Sequence, residues 1–303
     1  MKLRGIFPPV TTPFKADGEI DLPRLRENIR RYDQTHVAGY VMNGSTSESV
    51  LLGWDEVERL WATAREAAAP NKVMIAGTGA EATAETIRHT KRAAALGFQA
   101  ALVRTPSYYK PAMTFEAEAA HFFRVADASP IPVLIYSVPV FTGYTVEAPL
   151  VAKLATHPNI VGIKDSSGNV QRMKDIVAAA PKGFNALSGS GLTMAEAIEV
   201  GAVGGILAIS CMIAEACVDL YEAARRGEKE HIEQIKKQFI NPAGALVTRF
   251  GIAGIKFAMD RLGYYGGAPR APLLPVSESA KLEIEPLVAA LSPSVAASTP
   301  AIR

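Results

Sequence analysis

The sequence predicts a (β/α)8 barrel followed by a C-terminal helical extension. Eight short apolar runs rich in β-forming residues recur roughly 20 to 34 residues apart, with helical patterns between them. The runs begin near Ile6, Tyr40, Val73, Ala101, Val133, Val161, Ala186 and Gly204. Alternating βα units require parallel strands with right-handed crossovers, and eight of them indicate closure into a barrel. A doubly wound open sheet is the competing architecture.

The segments between the runs carry apolar residues at helical spacing. The clearest predicted helices cover residues 55–69, 83–96 and 114–128. Asp55 with Glu58, three residues later, is a candidate cap for the first helix, and Thr83 with Thr86 is one for the second. Strand and helix therefore alternate along the first two thirds of the chain.

The strand pattern stops after the eighth run. We divide the chain into a barrel over residues 1–225, a helical extension over residues 226–291 and a disordered tail over residues 292–303. Turn-forming residues are expected to break the helices of the extension at Arg226-Gly227, at Asn241-Pro242 and between Gly263 and Pro275.

Composition excludes several classes of protein. The 303 residues are 49% hydrophobic and carry a net charge of +2, with no basic stripe that would bind nucleic acid. The longest apolar stretches are about strand length, so we expect no membrane span, and the N-terminus lacks the apolar region of a signal peptide. Cys211 and Cys217 are typical of buried thiols in a reducing cytosol, which predicts a cytoplasmic protein.

A lysine and a tyrosine end two neighbouring predicted strands. Lys164 follows the apolar run of the sixth strand, and Tyr136 ends the fifth. An amine beside apolar walls loses hydration, which disfavours its charged form and frees its lone pair to attack a carbonyl. A phenol nearby could carry the protons that such chemistry moves. The alternative interpretation of Lys164 is a solvated surface residue.

Polar residues also follow other predicted strands. They occupy residues 43–48, 104–110, 136–137, 164–166 and 188–191. In a barrel these strand ends share one face, where the active site lies. Hydroxyls, backbone amides, phenols and one amine on that face suit a bound carboxylate beside a reactive amine. Ordinary loop composition is the alternative explanation.

Cofactor and metal motifs are weak. Residues 77–82 (GTGAEA) match a loose dinucleotide pattern, but residues 97–104 lack the acidic residue expected at the end of the next strand. The histidines fall on helices or loop approaches rather than strand ends; they are His36, His89, His121, His157 and His231. We therefore expect neither a bound cofactor nor a catalytic metal.

Three segments together resemble the dihydrodipicolinate synthase / N-acetylneuraminate lyase family of class I pyruvate-dependent aldolases. Residues 44–48 (GSTSE), 136–143 (YSVPVFTG) and 162–166 (GIKDS) resemble its motifs, and the resemblance runs from Ile6 to about Pro275. Within the family, residues 247–252, 263–267 and 270–273 look most like those of the 4-hydroxy-2-oxoglutarate aldolases. The resemblance implies a TIM barrel, a homodimer or homotetramer, and no cofactor beyond a pyruvate Schiff base.

The resemblance also implies roles for individual residues. Lys164 would form the Schiff base with pyruvate, and Tyr136 would shuttle protons. Ser45 and Thr46 would bind the pyruvate carboxylate, and Tyr108 matches a tyrosine that family members lend across a dimer interface.

Further family positions line the substrate pocket. Ser166 matches a serine that hydroxy-oxoglutarate aldolases place near the substrate hydroxyl, and Gly189 and Ile206 match backbone positions of the pocket.

Two residues depart from the family pattern. Ser47 replaces a loop glycine, which puts the backbone conformation of that loop in question. Phe141 replaces the arginine with which dihydrodipicolinate synthases grip the carboxylate of aspartate semialdehyde, and Arg104 and Lys110 are the nearest alternative cations. Positions near Trp54, Val57, Glu81 and Ser107 also differ from the lysine-feedback pattern of many such synthases, so we expect no feedback by lysine.

The sequence thus predicts a Schiff-base lyase that joins or separates pyruvate and an aldehyde. A 4-hydroxy-2-oxoglutarate aldolase leads, and a dihydrodipicolinate synthase is the main alternative. A sugar-acid dehydratase or an aromatic-aldehyde aldolase would use the same chemistry, and Phe141 favours these. A non-catalytic protein that binds 2-oxo acids is the alternative from another class.

Overall fold

Eight parallel strands form the centre of the protein, as the sequence predicts. The computed structural model describes residues 1–291, and the tail predicted over residues 292–303 lies outside this range. The strands are β1 (Gly5–Ile6), β2 (Gly39–Met42), β3 (Val73–Gly77), β4 (Ala100–Arg104), β5 (Val133–Ser137), β6 (Ile160–Asp165), β7 (Asn185–Ser188) and β8 (Gly204–Gly205). Their order is β1-β8-β7-β6-β5-β4-β3-β2, with every pair parallel.

The sheet closes on itself, because the strands at its two ends, β1 and β2, meet. Ala38 N donates to Ile6 O at 2.9 Å, and Val41 N donates to Pro8 O at 2.9 Å, so backbone hydrogen bonds join the β1 segment to β2. The (β/α)8 barrel, or TIM barrel, is therefore confirmed, and the open doubly wound sheet is wrong.

Helices surround the strands and continue beyond them. They are α1 (Leu22–Asp33), α2 (Trp54–Ala67), α3 (Thr83–Ala95), α4 (Phe115–Ala128), α5 (Pro139–Thr142), α6 (Ala148–Leu154), α7 (Val170–Ala179), α8 (Met194–Glu199), α9 (Ala214–Arg226), α10 (Lys229–Ile235), α11 (Asn241–Arg261) and α12 (Glu278–Leu291). The last three form the C-terminal helical extension, although the boundary at residue 225 stays a prediction. No helix in residues 1–291 has the length and hydropathy needed to cross a bilayer.

The predicted helix caps were wrong by one or two residues. Helix α2 begins one residue before Asp55, and its cap is Gly53, whose N–H donates to the Glu56 carboxylate at 2.8 Å. Helix α3 has Ala82 at its cap position, and Thr86 instead accepts a hydrogen bond from Ala80 N. A side chain inside the first turn cannot serve as the N-cap, because the cap residue precedes the turn.

The helices of the C-terminal extension are interrupted at two of the three places where the sequence predicts a break. Gly227 ends α9 in a left-handed conformation (φ 71°), and residues 263–275 are not helical. At Pro242 the prediction was wrong, because a π-helical turn (Lys236–Ile240) leads into α11 without a stop. Proline is tolerated in a first turn. The sharp change of direction lies instead at Gly251 (φ 55°, ψ −145°), within α11.

The barrel interior is mostly apolar, with polar side chains at the carboxyl ends of the strands. Side chains on each strand alternate between the interior and the helices, because the strand period is two. The interior cluster contains Leu3, Phe7, Val41, Ile75, Leu102, Leu134, Leu187 and Ile206. Tyr136, near the carboxyl end of β5, and Val138, just after β5, also belong to this cluster.

Candidate active site

Lys164 and Tyr136 lie side by side at the carboxyl ends of β6 and β5. They are register partners in the parallel pair, and both are inward-facing members of their strands. Each residue is only 5% exposed, so Lys164 is not a solvated surface lysine. The Lys164 Nζ atom is 4.1 Å from the centroid of the Tyr136 ring. The structure therefore brings the two predicted catalytic side chains into contact.

Ser45 approaches the same phenol from the loop after β2. Its Oγ atom is 3.3 Å from the Tyr136 hydroxyl oxygen, close enough for either group to donate. Ser45 begins a 3-10 turn (Ser45–Ser47), and Thr46, at the centre of this turn, is buried. Backbone N–H groups at the start of such a turn have no partner within it, so they are available to a ligand.

The environment of Tyr136 favours its ionised form. Burial acts to raise its pKa, but the nearby Lys164 cation and then the Ser45 hydroxyl outweigh burial and lower the pKa from its usual value. A phenol with a lowered pKa gives up its proton more readily. Such tuning is typical of residues that transfer protons.

Ser47 fits its loop without strain. Its backbone is part of the 3-10 turn, and the left-handed residues are Asn43 (φ 61°) and Glu48 (φ 59°) on either side. Ser47 Oγ donates to Val10 O and accepts from Gly44 N at 3.2 Å, while Thr12 Oγ1 donates to Ser47 O at 2.6 Å. The loop therefore does not need a glycine at this position.

A fully buried ion pair lies behind this loop, and sequence reasoning missed it. Lys256 Nζ, on α11, is 2.6 Å from Glu48 Oε1, and both side chains are 0% exposed. Burial lowers the pKa of Lys256, although the Glu48 carboxylate opposes this. The available signal was a lysine flanked by the apolar residues Ile255 and Phe257 in a helix.

Ser166, Gly189 and Ile206 form the next part of the wall. Backbone hydrogen bonds from each residue continue the strand ladders, including Gly189 N to Asp165 O at 2.7 Å and Ile206 N to Ser188 O at 2.8 Å. A Cβ atom on residue 189 would lie 2.0 Å from Ser166 Oγ. Only glycine therefore leaves space for the Ser166 hydroxyl, which also helps to lower the pKa of Tyr136.

These residues open onto one cavity of about 480 Å³ at the top of the barrel. Within residues 1–291, Lys164 is the only charged side chain that lines it. The deep end is polar, whereas the mouth is mostly apolar. Exposed or half-buried side chains form the mouth, and they are Val140, Phe141, Leu192, Val247 and Ile252. The buried side chains of Ile209 and Ile255 also line the cavity.

Comparison with known proteins assigns this architecture to a family. A model of the dihydrodipicolinate synthetase family matches residues 2–291. The chain belongs to this family. It is therefore a pyruvate-dependent carbon–carbon lyase of the class I aldolase type.

The similar proteins include members named for two different activities. A 4-hydroxy-tetrahydrodipicolinate synthase of an Exiguobacterium species is 34% identical over 280 residues, which cover 92% of this chain and 95% of the relative. A probable mitochondrial 4-hydroxy-2-oxoglutarate aldolase of Emericella nidulans is 34% identical over 282 residues, 91% of each chain. The crystal structure of the Acinetobacter baumannii dihydrodipicolinate synthase with pyruvate has a TM-score of 0.91 at 28% identity and covers 96% of this chain and 99% of that one.

Phe141 stands at the cavity mouth of this family member, on the short helix α5. It is 67% exposed, and its neighbour Val140 is 76% exposed. The two cations considered as replacements for an arginine at position 141 do not line the cavity. Arg104 instead pairs with Glu81 at 2.7 Å, and Lys110 Nζ lies over Gly143, 2.8 Å from where a Cβ atom there would be.

Tyr108 is not brought to the site of its own chain. It is 78% exposed and is not part of the cavity wall. Glu81 holds the backbone beneath it, because its carboxylate accepts hydrogen bonds from Ser107 N at 2.8 Å and from Tyr108 N at 2.9 Å. The backbone at Tyr108 is thus held by Glu81 while its side chain is exposed.

Trp54 packs against two side chains of α3. Its ring stacks on His89 with a centroid separation of 3.9 Å, and the Arg88 guanidinium lies 5.4 Å from the Trp54 ring centroid. Val57, on α2, is buried in the core. The expected loss of lysine feedback stays a prediction.

Proposed function

We propose that the protein forms a Schiff base between Lys164 and pyruvate and uses it to make or break a carbon–carbon bond with an aldehyde. The observation that supports this proposal is the buried Lys164 amine, 4.1 Å from the Tyr136 ring centroid at the bottom of a cavity. A buried amine with a phenol beside it can attack a carbonyl and receive help with the proton transfers.

Each polar residue at the deep end of the cavity then has a role in the mechanism. Lys164 passes a proton to the Tyr136 phenolate, and its nitrogen lone pair then attacks the pyruvate carbonyl. The resulting carbinolamine loses water, and Tyr136 returns the proton that the departing water needs. Ser45 lies 3.3 Å from the Tyr136 hydroxyl and extends the path for the proton. The imine draws electrons from the methyl group of pyruvate, so an enamine forms that can add to an aldehyde, or can result from the cleavage of one.

The pyruvate carboxylate is assigned to the 3-10 turn. The hydroxyls of Ser45 and Thr46, with the N–H groups at the start of the turn, offer donors on the side of Tyr136. Hydrogen bonds to a charged oxygen are stronger than neutral ones, which suits a carboxylate anchor. No cofactor and no metal enter this mechanism, because the imine itself is the electron sink.

We assign 4-hydroxy-2-oxoglutarate cleavage as the leading activity. Ser166 lies at the cavity wall beside Tyr136, where it would meet the hydroxyl group of that substrate. The Emericella nidulans relative supports the assignment. Dihydrodipicolinate synthesis is the alternative that the synthase relatives support. Its aspartate semialdehyde and the glyoxylate of the leading activity each carry a carboxylate, and within residues 1–291 no cation besides Lys164 lines the cavity to pair with either. The preference for the leading activity therefore depends on Ser166.

A second candidate follows from the apolar mouth. Phe141, Val140 and Val247 would contact the body of an aromatic or alkyl aldehyde more favourably than a charged one. An aromatic-aldehyde aldolase or a sugar-acid dehydratase would use the same imine. A protein that only binds 2-oxo acids would share the pocket but would not turn over.

We further propose that the chain works as a homodimer or homotetramer, in which Tyr108 completes the site of a partner subunit. Its exposure and the fixed backbone beneath it support this. The cytoplasmic location expected from the sequence stays a prediction.

Reductive trapping tests the proposal. Pyruvate with borohydride should add one reduced pyruvyl group to Lys164, detected by intact-mass spectrometry and peptide mapping. Lys164→Ala is the control and should give no adduct. An adduct on another lysine, or none, would refute the mechanism. A panel of glyoxylate, aspartate semialdehyde and benzaldehyde with pyruvate, followed by product detection, then ranks the acceptors.

A further inference from the structure

We infer that the buried Glu48–Lys256 ion pair is a positioning device that holds the Ser45–Thr46 loop at its working distance from Tyr136. The inference rests on the proposed function, because it takes that loop to bind the pyruvate carboxylate. Neither residue lines the cavity, so both act through other residues rather than on the substrate.

The pair joins the loop to the C-terminal part of the chain at two points. Lys256 Nζ meets Glu48 Oε1 at 2.6 Å, without the alignment of a regular hydrogen bond, and also donates to Ala268 O at 2.9 Å. Glu48 Oε2 accepts from Arg270 N at 2.7 Å. Glu48 is therefore held by α11 and by the segment after it, 208 and 222 residues away along the chain (256 − 48 and 270 − 48).

Glu48 transmits this restraint directly to the carboxylate loop. Its backbone N–H donates to Ser45 O at 3.0 Å, and it adopts a left-handed conformation (φ 59°, ψ 36°). A residue with a Cβ atom is strained in that conformation, which persists only where the surroundings enforce it. The two anchors on its carboxylate supply that enforcement, and Ser45 Oγ comes to rest 3.3 Å from the Tyr136 hydroxyl.

The other end of the pair belongs to a helix that lines the cavity. Lys256 follows Ile255, which lines the cavity together with Val247 and Ile252 from the same helix. The ion pair thus links the loop that would bind the carboxylate to the helix that forms the apolar wall. A change in the pair is expected to alter the spacing between these two sides.

Stability alone does not account for such a pair. An apolar pair of similar shape usually stabilises a protein as well as a buried ion pair does, because both charges lose their hydration. What an ion pair adds is one preferred arrangement of its two partners. Here that arrangement fixes the loop next to the catalytic tyrosine.

The test measures pyruvate affinity through borohydride trapping in Glu48→Gln and Lys256→Met. The pyruvate concentration that gives half-maximal adduct should rise by at least about tenfold in each, because small misplacements of a binding group cost large factors. At saturating pyruvate the adduct should still form on Lys164. Lys236→Met is the matched control: it breaks the Lys236–Glu196 pair on the π-helical turn, away from the cavity, and should leave the half-saturating concentration unchanged.

The possible failures can be told apart. No adduct on the wild-type protein would refute the proposed function itself. A normal wild-type adduct with half-saturation shifted less than about twofold in both variants, despite a lowered Tm, would refute only the positioning role. The double variant E48Q/K256M buries no isolated charge, so it serves where a single variant fails to fold. Its Tm should recover while its half-saturating concentration stays raised; recovery of both would overturn the inference.

Discussion

Tyr136 and Lys164 are register partners on neighbouring parallel strands, and the lysine nitrogen lies 4.1 Å from the centre of the phenol ring. Their relative position is therefore set by the backbone hydrogen bonds between β5 and β6 rather than by a loop. Groups on rigid strands hold catalytic geometry more closely than groups on loops. Ser45 and Thr46, by contrast, depend on a loop and on what packs behind it.

Tyr136→Phe should still form the pyruvate adduct but should turn over at least about 10²-fold more slowly, the usual size of a general acid–base contribution. Steady-state kinetics on the best acceptor, together with the trapping assay, would measure both effects. Near-wild-type kcat in the Phe variant would mean that Tyr136 only packs against the lysine.

Tyr136 should titrate below the usual tyrosine pKa of about 10. The Lys164 cation lowers its pKa against the effect of burial, so removal of that charge in Lys164→Met should move the titration to higher pH. The measurement is the ultraviolet absorbance of tyrosinate against pH, with Tyr136→Phe subtracted to isolate this residue. A titration that does not move in Lys164→Met would contradict the charge effect.

Phe141→Arg should improve the use of aspartate semialdehyde. Lys164 is the only charged side chain lining the cavity in the described part of the chain, so a second carboxylate has no partner there. A charge-assisted contact contributes roughly 1.5–3 kcal/mol, which corresponds to a gain of about tenfold to a hundredfold in kcat/KM. Phe141→Leu is the control for loss of the ring alone. Efficient synthesis of dihydrodipicolinate by the wild-type protein would show that position 141 does not decide the acceptor.

Gly189→Ala should lower kcat/KM, because its Cβ atom would approach Ser166 Oγ to 2.0 Å and push that hydroxyl out of place. We expect a loss of at least about tenfold. The double variant G189A/S166G removes the contacts with Ser166 Oγ and Cβ but leaves the Cα atom of residue 166 at 2.8 Å from the new Cβ atom. Its kcat/KM should therefore recover only in part. Gly53→Ala is the control, since its Cβ atom would meet Glu56 Oε2 at an ordinary 3.5 Å.

Glu118, on α4, should make stability depend on pH. Burial, and to a smaller extent the Glu147 charge, raises its pKa from 4.5 to about 7, and within residues 1–291 its Oε2 atom has no hydrogen-bond partner. The folded state therefore keeps a proton that the unfolded chain releases. Folding binds more protons between pH 4.5 and 7, so this contribution to stability is lost as the pH rises through that window.

Glu118→Gln removes this titration. The free energy of unfolding of the variant minus that of the wild type should therefore increase by on the order of 2–3 kcal/mol between pH 5 and pH 8. Burial also lowers the pKa of His121 to about 4, which gives the opposite pH dependence, but His121 is present in both proteins and cancels. Urea unfolding at both pH values would check the prediction, and a constant difference would contradict it.

The sequence predicted the strands well, because each strand is marked by a local apolar run. Apolar runs of strand length marked all eight strands, and the barrel rule then placed Lys164 and Tyr136 on one face. The Glu48–Lys256 contact was not predictable, because nothing local connects residues 208 positions apart. Pro242 was misjudged for a related reason: its effect on the helix depends on the π-helical turn before it, and that turn has no clear sequence signal.

Part of the cavity wall comes from outside the strands that carry the proposed catalytic pair. The amine and the phenol project from β6 and β5, whereas Val247, Thr248, Ile252 and Ile255 of the cavity wall come from a helix outside the strand repeat. Substitutions at those helix positions leave the strand pairing untouched. A variant library confined to residues 247–255 would therefore sample new carbonyl partners while the bond-forming step stays the same, a division that lets one barrel diversify without first losing its chemistry.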